Sequence, residues 1–205
     1  MYTGNANVAI GNQALEDCST GAGNVAIGYL ALSTEDSGGS NVAVGHSALK
    51  DQDAGDAYNT ALGYHSGKSV TTGVQNTVIG GLAGDATTTS SSNTGVGYNS
   101  LGANTTGVAN VGLGQNSLAS NTTASDNTAL GSHSLDTNTT GASNTGVGRN
   151  ALRANTTASN NTAVGSSALT ANTTGTANTA VGSGALDAST VGEYNTAIGE
   201  ATLST

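Results

Sequence analysis

Asn161-Thr-Ala-Val-Gly-Ser-Ser-Ala-Leu-Thr-Ala-Asn-Thr-Thr-Gly175, followed after two residues by Asn178-Thr-Ala-Val-Gly182, is the stretch that decides how this chain folds. Its leading pentapeptide, Asn-[Thr/Val]-[Ala/Gly/Val]-[Val/Ile/Leu]-Gly, starts at Asn7, Asn24, Asn41, Asn59, Asn76, Asn93, Asn110, Asn127, Asn144, Asn161, Asn178 and Asn195. The step is 17 residues throughout, except for 18 between Asn41 and Asn59, where the extra residue lies within Lys50 to Tyr58. With each Asn as position 1, position 5 is Gly in every copy (Gly11, Gly28, Gly45, Gly165 among them) and position 4 is always aliphatic, as in Ile10, Ile27 and Val164. Position 8 is small. Position 9 is Leu, as at Leu169, except at Gly67 and Gly84. A second turn signature, often Asn-Thr-Thr-Gly, fills positions 12 to 15. A fixed period over the whole chain is the mark of a repeat architecture.

A helical repeat needs two helices, roughly 30 residues or more. Seventeen residues with two turn signatures predict two short strands and two corners, one coil of a β-solenoid. Side chains alternate faces along a strand, so positions 2 and 4 share one face and position 3 lies on the other. Position 3 is Ala or Gly except at Val78, which predicts a tight interior. Position 4 is never polar, which predicts that its face is covered too. A thin coil offers little apolar area, worth about 25 cal/mol per Å², against about 1–2 kcal/mol of backbone entropy per residue. Further copies of the same chain are the expected cover, the alternative being a monomeric solenoid with both hydrophobic ladders inside one coil. The expectation is an all-β parallel β-roll, residues 1–205, assembled as a homotrimer, with twelve coils making a rod of roughly 58 Å at about 4.8 Å per rung.

The repeated polar residues have local reasons. Gly at position 5, and mostly at 15, suits a corner that needs positive φ or close backbone approach. Asn at positions 1 and 12 suits turns, and the stacked amides of Asn7, Asn24, Asn41 and Asn161 predict a hydrogen-bonded ladder. The absence of Pro fits a stack that uses its backbone donors. Thr3-Gly4 match positions 14 and 15 of a preceding coil, and Thr205 stops inside another. Solenoids normally carry polar caps, so the reading is a longer array or end-to-end stacking.

Asn-Val-Ala-Ile-Gly at Asn7–Gly11 and Asn24–Gly28 resembles the repeat in the heads of trimeric autotransporter adhesins. That resemblance implies trimers of left-handed parallel β-rolls. The longer unit at Asn161–Gly175 is similar to arrays in phage tail fibres, cyanophages especially, and its 17-residue period departs from the shorter adhesin repeat. The resemblance implies an extracellular, non-enzymatic shaft on a virion or a bacterial surface. A cell-surface glycan or protein receptor would then be the partner. A self-stacking extracellular filament is a further alternative.

Composition excludes other classes. Leu, Ile and Val number 33 of 205 residues, with no Phe or Trp, which is too little for a thick globular core. Only 8% of residues are charged and the net charge is −9, so self-repulsion does not enforce disorder. Four basic residues against 13 acidic ones disfavour nucleic acid and anionic membrane surfaces. No apolar run reaches the length of a membrane span, and Met1 to Gly11 lacks a secretory pattern. Cys18 alone makes no internal disulfide and reads as a solvent-facing or lightly buried thiol.

Sharper chemistry finds little support in the sequence, and no cofactor is expected. Asp51, Asp53 and Asp56 sit at the 18-residue coil and are the one weak Ca²⁺ candidate, but they lack the remaining ligands of a calcium loop. His46, His65 and His133 have no completing ligand set. No nucleophile elbow or phosphate loop is present. Recurrent Asn-Thr-Thr triplets raise the remote alternative of an ice-binding solenoid. Adjacent Thr residues in an extended segment would point to opposite sides, leaving such a face incomplete. Tyr29, Tyr64 and Tyr98, each following the corner Gly, are the candidates for a surface contact.

Overall fold

The computed structural model describes residues 4–204; the chain-end expectations at Thr3 and Thr205 lie outside the described residues. Twelve three-residue strands, β1 (Val8–Ile10), β2 (Val25–Ile27), β3 (Val42–Val44), β4 (Thr60–Leu62), β5 (Thr77–Ile79), β6 (Thr94–Val96), β7 (Val111–Leu113), β8 (Thr128–Leu130), β9 (Thr145–Val147), β10 (Thr162–Val164), β11 (Thr179–Val181) and β12 (Thr196–Ile198), form one parallel sheet in chain order. Each strand pairs in register with the next, as in Val8↔Val25 and Thr162↔Thr179. The chain is an all-β parallel β-solenoid. The extra residue of the third coil is absorbed before β4, because Val42 still faces Thr60.

The second expected strand does not form. Positions 6 to 11 run as turns, although their backbone still bonds from coil to coil, as from the Leu118 N–H to the Ser134 carbonyl at 3.1 Å. The cause is local conformation. Positions 7, 9 and 17 adopt left-handed φ near +55°, among them Asn116, Leu118 and Asp126. Although Thr is abundant, none of the non-glycine left-handed residues is Val, Ile or Thr. Branched side chains are the ones this region tolerates least. Gly at position 5 is more extreme, with Gly114 at φ +132°, and a Cβ there would stand 2.7 Å from the Gly131 carbonyl.

The interior is one side chain deep. Between the first and last coils, position 3, position 8 and the position 9 leucines are buried, as at Ala163, Ala168 and Leu169. At two coils the filling changes hands. Gly67 and Gly84 replace the leucine, while Val78 and Val70 supply the missing volume; a Cβ on Gly84 would come within 2.7 Å of Val78 Cγ1.

Candidate functional surface

Two buried amide columns hold the rungs together. At position 1, the Oδ1 of each Asn accepts the backbone N–H of the next: Asn24 bonds Asn7 at 2.9 Å, Asn41 bonds Asn24 at 3.0 Å, and Asn161 bonds Asn144 at 3.0 Å. The Asn161 Nδ2 donates to the Gly175 carbonyl at 2.9 Å, closing the same coil. At position 12, Asn121, Asn138, Asn155 and Asn172 each donate to the Oδ1 of the Asn one rung below, at 2.8 to 3.1 Å. The ladder stops where Ser189 takes the position, leaving Asn172 Oδ1 unpartnered. These asparagines sit in ordinary backbone conformation; their role is hydrogen bonding and not positive φ.

Towards the N-terminus, position 12 carries Cys18, Glu35 and Gln52 instead. Cys18 is buried at 7% exposure, and burial pushes its thiol up, so it is an interior residue and not a solvent-facing one. Gly21 leaves room for the sulfur, since a Cβ there would stand 3.0 Å from Cys18 Sγ. Glu35 is fully buried; its Oε1 accepts the Gly38 N–H at 2.6 Å while Oε2 has no partner. Burial lifts its carboxyl above the ordinary value, with Asp53 and Asp36 adding repulsion.

The acidic corner does not converge. Asp51 pairs with Lys50 at 2.8 Å, Asp53 and Asp56 are exposed, and no group of three potential ligands is close enough to hold a metal ion among the described residues. His133 bonds Asp136 at 2.9 Å. No concave pocket opens among the described residues.

The position 13 threonines (Thr71, Thr88, Thr105, Thr122, Thr139, Thr156) donate their hydroxyls to the next rung's carbonyl at 3.0 to 3.2 Å. Only the position 14 column, such as Thr106 and Thr140, is exposed.

Two surface columns remain. The position 4 aliphatics run along every rung and are only partly covered: Ile10 is 59% exposed and Leu62 47%, while Ile27 and Val44 are half-buried. At position 6, Tyr29, His46 and Tyr64 stack rung upon rung, with ring centres 5.1 and 5.3 Å apart. His65 lies flat against Tyr64 at 3.8 Å, and burial lowers its pKa, helped by Lys68 and His46. Tyr98 continues the column across Gly81, where a Cβ would meet its ring at 3.7 Å. The sequence presented three isolated tyrosines; the coil period, once laid on a rung spacing, makes them and the histidines one strip.

Comparison with protein-family models, with curated proteins and with solved structures gives no match.

Proposed function

We infer that the chain is a structural, non-enzymatic repeat of an extracellular fibre, in which three copies associate side by side as left-handed β-rolls. A phage tail fibre or related virion appendage is the setting that its 17-residue unit resembles. The observation that carries the reading is the half-open aliphatic column, Ile10, Ile27, Val44, Leu62 and onward to Ile198, flanked at position 2 by Val or Thr. Twelve rungs at about 4.8 Å make an apolar strip roughly 50 Å long, and contiguous apolar strips on soluble monomers are rare at that length. Burying it against like strips about a shared axis removes that cost to each chain at once. The rod would then act mechanically, spacing a recognition element from its base. An adhesin head is the second reading, favoured by the exposed Thr and Tyr columns.

Light scattering tests the assembly: a mass about three times the 19.6 kDa of one chain is expected. A stable monomer at micromolar concentration would refute it.

A further inference from the structure

We propose that the aromatic strip at position 6 of coils two to six is a binding track for a neutral, extended oligosaccharide. Tyr29, Tyr64 and Tyr98 are 44%, 55% and 54% exposed, so each ring keeps about half its surface open to solvent. The rings do not pack into the coil. Two of the three pack through the histidines, with His46 bridging Tyr29 and Tyr64 and His65 lying parallel to Tyr64 at an interplanar angle of 15°, while Tyr98 stands one ringless rung further on, beyond Gly81. The histidines fix the Tyr29 and Tyr64 rings beforehand, so little side-chain freedom is lost there when a ligand is laid on them.

Shape selects the ligand class. From Tyr29 to Tyr98 is four rungs, roughly 19 Å at about 4.8 Å each, and the strip is a single column wide. A stable protein interface buries about 800 Å² per partner, which a one-ring column does not offer. A chain-like ligand that stacks successive faces does fit, as bases do on aromatic platforms. No cavity opens along the strip to enclose a single small molecule. Polar groups stand beside the rings at position 7 where His65 and Asn99 occupy it, the Asn99 Nδ2 donating to Asn116 Oδ1 at 3.1 Å; Ser47 is buried against His46 Nδ1 and takes no part. Apolar ring faces flanked by amides and imidazoles match the alternating C–H faces and equatorial hydroxyls of a β-linked hexose chain. The net charge of −9 with four basic residues selects against sulfated or uronic-acid chains. The track is complete on one chain and does not depend on the trimer.

Titration calorimetry with cellohexaose and with chitohexaose tests this on the whole chain, with glucose and a sulfated hexasaccharide as comparisons. A submillimolar constant is expected for at least one neutral hexaose, at least about tenfold weaker for the monosaccharide, with no binding of the sulfated chain. The triple substitution Y29A/Y64A/Y98A should abolish it, whereas Y194A, at the remote position 17 corner, should leave it unchanged. Backbone chemical shifts on the wild-type chain guard against misfolding of the triple variant: changes should be confined to positions 5 to 7 of coils two to six. The proposal is overturned if neither neutral hexaose binds at millimolar concentration. It is equally overturned if Y29A/Y64A/Y98A binds as well as wild type, if the sulfated chain competes equally, or if the triple variant loses mass by light scattering, which would make the strip a contact between copies. Because mass is read independently, a monomer that binds the hexaose would refute the fibre reading and leave the track standing.

Discussion

Substituting Asn110 by Ala removes one rung of the position 1 ladder, and the structure says what is left behind. The Oδ1 of Asn110 accepts the Asn127 N–H at 3.0 Å and its Nδ2 at 3.3 Å, while the Asn110 Nδ2 donates to the Ala124 carbonyl at 2.8 Å and to Asn93 Oδ1 at 3.3 Å. Asn110, Asn127 and Ala124 are all buried, so water cannot replace the lost amide. One backbone group, the Asn127 N–H, becomes an orphan, while the Ala124 carbonyl keeps the Asn121 Nδ2 as a donor at 3.0 Å. The orphan sets the cost of Asn110→Ala at about 1–3 kcal/mol. Asn110→Asp separates the two halves of the effect: it keeps an acceptor for Asn127 but aims a buried charge at the Ala124 carbonyl, and should be at least as damaging. Thr106→Ala, in an exposed column, should stay within about 0.5 kcal/mol. Urea unfolding followed by far-ultraviolet circular dichroism gives the global value. Because a solenoid's stability is a sum of neighbour terms, amide exchange across coils six to eight should show the loss concentrated there. If Asn110→Ala proves as mild as Thr106→Ala, the ladder is decoration and the stacking argument fails.

The exchanged filling at coils four and five predicts coupling: G84L should destabilise by about 1–3 kcal/mol through overpacking against Val78, and V78A alone should cost about as much through a cavity. The pair V78A/G84L should recover at least about 1 kcal/mol of their sum in a double-mutant cycle, since φ at Gly84 is +57° and leucines occupy +48° to +56° at the same position in other coils. Glu35→Gln should raise stability and flatten its pH dependence. Folding binds the Glu35 proton more tightly, so stability is fullest below the ordinary value of about 4.5 and falls as pH rises through the higher folded value; thermal melts from pH 4 to 8 that show no such fall would contradict the burial argument. Leu113→Asp with Val147→Asp, on the open column, should yield a monomer by light scattering with an unchanged circular dichroism spectrum, and a trimer that survives both would place the contact elsewhere.

The coil period, the Asn ladder and the small interior were legible because each is a residue type held at one register position. Position 4 was read as covered, and a single chain leaves it half open; hydrophobicity reports that a face avoids water without saying whose atoms do the covering. The second strand was misread because nothing in Ser-Ser-Ala-Leu announces left-handed residues at Ser167 and Leu169, at +58° and +51°. Leucine carries no turn signal, and the clue lay in what never occurs there, a β-branched side chain. For Cys18 the sequence leaves solvent-facing and lightly buried open, and the structure gives the buried one; its neighbours one rung away, not those along the chain, decide it. The aromatic strip was visible as three tyrosines but not as one column, because His46 reads as a break until the rungs are stacked and it bridges Tyr29 and Tyr64.

The in-register pairing of every strand with the next has a consequence for how such a chain changes over generations. Each new rung closes a loop of the same 17 residues, so its entropic cost does not grow with the number of rungs already present. Duplicating or deleting one whole coil leaves all remaining pairings as they were, and the 18-residue coil shows that even a single stray residue is absorbed within its own turn. Reach therefore becomes a quantity that unequal crossing-over can lengthen or shorten in steps of about 4.8 Å, with no new side chain to invent.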